Sequence, residues 1–397
     1  MREVYIVSAT RTAIGKYGGS LRVVPSRDLA TSVIREAIRR AGLQPDQIQE
    51  VVMGEVRQST EASNPARVAS LAAGIPEEVP AFTVNRLCAS AMQALNCGYQ
   101  EIVLGDAGIV VVGGTENMSR SPHYIRNGRF GDGELQLVDS NLEGGPGAQP
   151  IETYGPNLGM GQTAENVAEQ FNISREDQDL FALESQKRCA RAMAEGKFKD
   201  EIVPVEIKGK KGVTIFDTDE FPRPDTTLET LAKLKPAFKP GGSVTAGNSC
   251  GRNDGASAMV LMSGEKVNEL GMRPLGRVVA VTAVGVSPRI MGIGPVPAVK
   301  RVLEKAKMRM EDIDLIELNE AFASQALAVI RELGMDMERT NVNGGAIALG
   351  HPLGSTGTRL VVTLLHEMVR RKSRFGLATL CVGGGQGMAT IVENLQR

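Results

Sequence analysis

The chain has 397 residues, 42% of them hydrophobic and 23% charged, with a formal net charge of -1 at pH 7. That is length enough for two or more domains with buried cores, and the balanced charge gives no reason to expect nucleic acid or a membrane surface as a general partner. Five irregularly spaced cysteines without a C-x-x-C pair argue against a disulfide framework or a zinc ribbon and fit a reducing cytoplasm.

The N-terminal "MREVYIVSATRTAIGK" leads straight into a strand-like segment, and no long uncharged apolar run follows. Neither a signal peptide nor a transmembrane helix is expected, which points to a soluble cytoplasmic protein. In chain order, "VYIVSA" reads as a strand and "DLATSVIREAIRRAG" as a helix closed by Gly42. "EVVMGEV" is a strand, "NPARVASLAAG" a helix, and "IVVVGGTENMS" a buried strand. From about Asn117 to about Gly255 the sequence is rich in glycine, proline and charge and reads as an irregular insertion. Regular signals then return. "LGRVVAVTAVGV" is a strand, "VPAVKRVLEKAKM" a helix, "IDLIELNEAFA" a strand entering a helix, and "GLATLCVGGGQGMATIVEN" two strands about a glycine turn. Two stretches, "AFTVNRLCASAMQAL" and "RTNVNGGAIALGHPLGSTGTRLVVTLL", both read strand, Val-Asn, turn, helix. An α/β chain of two similar halves is the expectation, with sheets covered by helical layers.

Several residues stand where chemistry would need them. Cys88 leaves a turn and enters a helix, where a thiolate would be stabilised and its pKa lowered; by position alone a free cysteine is more often a small buried hydrophobe. Cys97, nine helical residues on, faces elsewhere, and Cys189 in "FALESQKRCARAMAEG" reads as structural or superficial. His351, among glycines ahead of a helix, reads either as a satisfied structural histidine or as base to a thiol or oxyanion donor. His123 reads as a loop residue and His366 as a helix-surface residue; three isolated histidines argue against a metal site. Cys381 ends an apolar strand, and the glycines 383–385 behind it free backbone N–H groups to point at a ligand oxygen. Asn319 and Glu320 of "NEAFA" read as an N-cap device or as a pair of site residues. Phosphate-loop readings fail, since Gly15-Lys16 is followed by Tyr17 and no G-x-G-x-x-G follows the first strand.

Seven motifs, "NRLCASA", "GGTENMS", "MGQTAENVA", "TAGNSCGRNDGA", "NEAFA", "GGAIALGHPLGSTGTR" and "CVGGGQGMA", occur here in the order of the thiolase family, which the chain resembles from "VSATRTAIGK" to its end. The resemblance implies a layered αβαβα fold of two similar halves with mixed sheets. The halves would be residues 1–119 with 255–275 and residues 276–397, with a loop domain, 120–254, inserted to cover coenzyme A. It implies an acetyl-CoA C-acetyltransferase, or alternatively a broader-range 3-ketoacyl-CoA thiolase of fatty-acid degradation. Cys88 would carry the acyl group, Cys381 would act as acid and base on the carbanion, and His351 would activate Cys88. His351 and a water held by Asn319 would donate to the thioester oxygen, and the N–H groups of Cys88 and Gly383 to the acyl-enzyme carbonyl.

Arg223 matches a position beside the adenosine phosphates, and Phe238 and Ala246 match positions along the pantetheine. Cys250, Met160, Met291, Ala321 and Phe322 match substrate-lining positions. Coenzyme A would be a substrate, no metal or redox cofactor is required, and a homotetramer is implied. The chain departs from the pattern at Gly159, where many family members specialised for acetoacetyl-CoA have a histidine. It departs again at Cys250, where serine is usual, and at Ala91, where glycine often stands. A ketoacyl synthase would pair its cysteine with two histidines, and a non-catalytic binder would not need Cys88, His351, Asn319 and Cys381 together.

Overall fold

The computed structural model describes residues 2–210 and 212–397. Apolar and small residues fill 109–115 and 255–263, and every residue of the strands Ile109–Asn117 and Asn253–Ser263 is buried, the pattern of strands covered on both faces. The strands that carry the fold are β1 (Val4–Thr12), β2 (Glu50–Gly54), β3 (Ala81–Val84), β4 (Ile109–Asn117), β5 (Asn253–Ser263), β6 (Gly276–Gly285), β7 (Leu315–Leu318), β8 (Phe375–Val382) and β9 (Gln386–Asn394). They follow one hydrogen-bonded path, β7-β8-β9-β6-β1-β5-β4-β2-β3. Between β6 and β1 that path narrows to two residue pairs, Tyr5 with Arg277 and Ile6 with Gly276.

Each side of this seam repeats the same neighbours. In the first half β5 lies antiparallel between β1 and β4, and β4 runs parallel to β2. In the second, β9 lies antiparallel between β6 and β8, and β8 runs parallel to β7. Helices α1 (Ser26–Arg40), α2 (Pro65–Ala72), α3 (Ser90–Leu104), α4 (Met160–Gln170), α5 (Arg175–Ala194), α6 (Pro295–Ala306), α7 (Ala323–Leu333) and α8 (Leu353–Arg371) fill the layers. Helices α3 and α8 pack on each other; α3 also contacts β2 and β4, while α8 contacts β4 and β5 of one half and β7 and β8 of the other. They therefore form the middle of five layers, with α1 outside the first half-sheet and α6 outside the second. The internal repeat expected from the sequence is present.

Two expectations need correction. The stretch from 117 to 255 is not irregular throughout, for it holds α4 and the 20-residue α5. Ser174 caps α5, and Phe181, Ala182, Ser185, Cys189 and Ala192 face inward along it with Asp179 and Arg188, while its other charges lie on the more solvated side. Cys189 is accordingly buried, and His366 Nε2–H donates to the β1 backbone at Ala9 O (3.2 Å) instead of standing on the surface. The second correction concerns "RTNV", which forms a single bridge, Thr340 with Ile316, in place of a strand. Asn341 sits at φ 48, and its side-chain amide both accepts from Leu318 N and donates to Leu318 O (2.8 Å each). That amide replaces the backbone ladder at the edge of β7.

Arg11 of β1 ties the middle segment to the sheet. Its guanidinium, 1% exposed, meets Glu201 at 2.6 Å and Asp219 at 2.7 and 3.0 Å and lies over the Phe198 ring. Burial opposes its charge, but the Asp219 and Glu201 carboxylates outweigh burial and raise its pKa. Arg11→Met would leave both carboxylates buried and unpaired, and a loss of about 3–5 kcal/mol is expected, read as a lowered urea midpoint. An unchanged midpoint would mean that water reaches these carboxylates.

Candidate active site

Cys88 is held by a turn that its neighbours enforce. After β3, the Asn85 side chain accepts from Leu87 N (2.9 Å), while Ser90 Oγ accepts from Arg86 N (3.0 Å) and donates to Leu87 O (2.7 Å). These bonds keep Leu87 at φ 46, a left-handed conformation unfavourable for a side chain of that size, so the turn stores strain where it presents Cys88. Cys88 as a residue is only half-buried, yet its sulfur is enclosed and accepts a hydrogen bond from Gly383 N–H. Burial raises the thiol pKa, against smaller opposing effects of Gly383 N–H and Arg57. The helix start was expected to lower it; desolvation wins instead.

Strand β8 supplies Cys381, 1% exposed, and the turn that follows it. Gly384 and Gly385 take φ 72 and 81, and a Cβ on Gly383 would press on Leu87 at 3.1 Å, so the glycine lets that backbone approach the Cys88 turn. Burial, then the neighbouring Cys88 and Cys250, push the Cys381 thiol well above its usual pKa. Cys250 is likewise raised, to about 12, chiefly by burial.

His351 precedes α8. Gly350, at φ 104, turns the chain against Asn253, whose Oδ1 accepts from His351 N (3.0 Å). The Thr356 hydroxyl donates to Pro352 O (2.8 Å) and therefore accepts from His351 Nδ1–H (2.7 Å). That assignment leaves Nε2 as a lone pair, 3.5 Å from Asn319 Nδ2. Burial, then Arg359, lowers the imidazole to about 3, so it is a neutral base near pH 7. Asn319 is fixed by its backbone N–H on Thr379 O (2.9 Å), and its buried Oδ1 has no partner, the position in which a water would be bound.

Glu320, beside it, does not face the site. Its carboxylate accepts from Ser185 Oγ, Asn341 Nδ2 and Ile347 N, clamping the end of β7 to α5 and to the residues before α8. Of the sequence pair, Asn319 therefore stands beside His351, behind the groups that line the cavity, and Glu320 supports the frame. Cys250 N donates to Ala321 O (3.0 Å) and Ala323 N to Asn248 O (2.9 Å), which lays residues 248–250 along "NEAF".

A cavity of about 690 Å³ opens over these groups, and Cys88, His351, Cys381, Gly383 and Cys250 all line it. Met160, Met291, Ala321, Phe322 and Phe238 line it too, the two phenylalanines meeting edge to face at 6.1 Å. Arg223 and Ala246 are exposed and do not line it. Arg223 stacks over Phe221, whose ring abuts the cavity-lining Gly251. Sequence reasoning missed Arg57 and Arg252, which do line it, and Glu116, which lies behind it. Glu116 accepts from Val56 N, Arg57 N and Gly354 N at 3.1, 3.0 and 2.8 Å. Burial raises Glu116 against those three N–H bonds, and burial with the adjacent Glu116 raises Glu55; Glu116 is the ionised partner and Glu55 holds the proton. Among the described residues no three His, Cys, Asp or Glu side chains converge to hold a metal ion.

Comparison with known proteins gives the arrangement a family. Models described as thiolase, N-terminal domain, and thiolase, C-terminal domain, match residues 4–265 and 272–394. An acetyl-CoA acetyltransferase of Syntrophomonas wolfei is 51% identical, covering 99% of this chain and 100% of its own. The solved Bacillus anthracis acetyl-CoA acetyltransferase superposes with TM-score 0.96 at 46% identity, over 100% of this chain and 99% of its own. Human mitochondrial 3-ketoacyl-CoA thiolase superposes with TM-score 0.95 at 45% identity, over 99% of each.

A neutral thiol beside a neutral imidazole has a pH signature. Alkylation of Cys88 by iodoacetamide, mapped by mass spectrometry, should climb with pH through the ordinary thiol range of about 8.5 and beyond, with no acidic shoulder. A rate plateau between about pH 5 and 7 would instead reveal a resting thiolate–imidazolium pair.

Proposed function

The chain belongs to the thiolase family, and from that premise we propose that it is an acetyl-CoA C-acetyltransferase, joining two acetyl-CoA into acetoacetyl-CoA and coenzyme A through an acyl-cysteine. One observation carries the mechanism: Cys88 of the first half and His351, Cys381 and Gly383 of the second line one cavity, with Gly383 N–H on the Cys88 sulfur. In thiolysis, Cys88 Sγ attacks the keto carbonyl while His351 Nε2 takes its proton. The carbon–carbon bond breaks toward the thioester, whose enolate takes a proton from Cys381. Coenzyme A then attacks the acyl-cysteine and leaves as the new thioester, with the released thiolate reprotonated; condensation runs the same steps backward. No metal or redox cofactor enters, and coenzyme A is a substrate.

Two donor sets serve the developing oxyanions. On acylation Gly383 N–H turns from sulfur to carbonyl oxygen and joins Cys88 N–H. His351 and a water on Asn319 Oδ1 serve the thioester enolate, a role that the unpartnered Oδ1 supports. Phe238, Ala246, Cys250 and Phe322 guide the pantetheine, and Arg223 meets the adenosine phosphates outside the cavity. Residues 120–254 cover coenzyme A as a loop domain between the halves 1–119 with 255–275 and 276–397. The hairpin His123–Arg126/Gln136–Asp139 exposes Ile125, Leu135 and Leu137, which supports its burial between subunits of a homotetramer. Among the described residues no helix is long and apolar enough to cross a membrane, and we assign the protein to the cytoplasm.

A broader 3-ketoacyl-CoA range is favoured by Gly159, which lines the cavity beside Met160 and has nothing within 4 Å of an added Cβ. Thioethers repack readily around acyl chains of different length. On this reading 3-ketohexanoyl-CoA is cleaved within about tenfold of acetoacetyl-CoA.

Intact-mass analysis with acetyl-CoA should find one acetyl group per chain, on Cys88 and absent in Cys88→Ala. Cys381→Ala should keep that adduct while condensation falls by about 10²–10⁴-fold. Acetylation surviving in Cys88→Ala, or near-normal condensation in Cys381→Ala, would refute the mechanism.

A further inference from the structure

Two arginines line the cavity, and they differ in what they can do. Arg252 is exposed and lies over the Tyr17 ring at 5.8 Å. Arg57 is half-buried on the loop after β2, and its charge is felt at the Cys88 sulfur, where burial dominates but Arg57 favours the thiolate. The backbone N–H of Arg57 is bound to Glu116, yet its buried Nε has no hydrogen-bond partner, and among the described residues its guanidinium forms no ion pair. The nearby Glu116 does not neutralise it by contact, because both carboxylate oxygens are occupied by backbone N–H groups.

The surroundings leave room for this cation. Gly144 packs so closely on the guanidinium that any Cβ there would collide with it. The same segment continues to Ala148, whose carbonyl lies against Gly384 and whose Cβ faces Gly383, so Arg57, Gly144, Ala148 and the Gly383 turn form one continuous wall beside Cys88. Leu87, Met118 and Leu142 stand on that side with the amide of Asn141, and no carboxylate lines the cavity among the described residues. The pantetheine-facing Phe238 and Cys250 lie with Phe322 around Gly161 and Ala321 instead. A cation with an unfilled donor, in a wall without a carboxylate on the side of the acyl-carrying sulfur, is placed to meet an anion from the substrate.

We propose that Arg57 is a specificity-determining residue that binds a carboxylate at the far end of the acyl chain, so that the cavity takes coenzyme A thioesters of dicarboxylic 3-keto acids besides the four-carbon substrate. The proposal rests on the acyl-transfer reading above for the direction of the chain. The Arg fork meets a carboxylate bidentately, and a neutral chain of equal length leaves Nε unpaired, which is the asymmetry that discriminates strongly between similar ligands.

Equilibrium binding of two non-reacting probes, adipyl-CoA and hexanoyl-CoA, isolates this contact from turnover. The wild type should hold adipyl-CoA at least about tenfold more tightly than hexanoyl-CoA. Arg57→Leu should reverse the order and Arg57→Lys should fall between. Equal affinities in the wild type, or a preference that survives in Arg57→Leu, would overturn the proposal. So would an equal weakening of free coenzyme A, which would place Arg57 on its phosphates. Thiolysis of 3-ketoadipyl-CoA and acetoacetyl-CoA is the second arm. The adipyl preference without cleavage of either substrate would fault the acyl-transfer reading and leave the Arg57 contact standing.

Discussion

The Glu116 carboxylate is the contact on which the site depends. It stands at the end of β4, in the first half, and reaches Gly354 N–H in the first turn of α8, three residues from His351 in the second. Its other bonds hold the backbone of Val56 and Arg57. Elsewhere the half-sheets share only two residue pairs, so the active site lies across a joint that hydrogen bonding along the strands does not fix. A buried carboxylate satisfied by backbone N–H groups is costly to misplace, and that makes it a register device between the halves. Helix α8 reinforces it by packing on α3, whose approach carries Cys88.

The same desolvation sets the chemistry. It raises the three thiols and lowers the imidazole, so at neutral pH the resting groups are uncharged. On the proposed mechanism the first transfer, from the Cys88 thiol to the His351 imidazole, then starts from neutral partners, and no stable ion pair has to be broken first. On the same proposal the thiolate forms as attack needs it, and the N–H groups of the glycine turn would receive the charge as it develops. Strain at Leu87 serves the same end, since it holds the sulfur at the mouth of a turn that relaxed backbone would not form.

Local pattern carried much of this. The alternation of elements, the glycines at strand ends and the repeated Val-Asn turns can be read without tertiary context, and the motif order pointed to the family and to Cys88, His351 and Cys381. What stayed hidden depends on contacts distant in sequence. Helix α5 was lost among charges because its few apolar positions share the inward face with buried polar residues such as Asp179 and Arg188. Asn341 looked like a strand residue, and only the proximity of Leu318 turns its side chain into the pairing partner. The helix-start argument for Cys88 was sound in isolation, but burial, invisible in sequence, reversed its sign. Glu116 sits inside the quoted "GGTENMS", yet nothing local says that its oxygens meet Gly354 across the molecule. Arg57 had no signal at all, since its meaning lies in a missing partner.

The central claim is that Glu116 holds the two halves in catalytic register. Glu116→Gln tests it most directly, because an amide keeps the size while turning NH₂ toward backbone N–H groups that need an acceptor. The measurement is the rate at which acetyl-CoA acetylates Cys88, followed by mass in a variant whose folded state is verified by circular dichroism. The account predicts a fall of at least about tenfold, the loss of roughly 1.4 kcal/mol of positioning. Acetylation at the wild-type rate would contradict it and would mean that the other contacts across the joint, the packing of α3 on α8 and the Asn253 bond to His351 N, align the halves without Glu116.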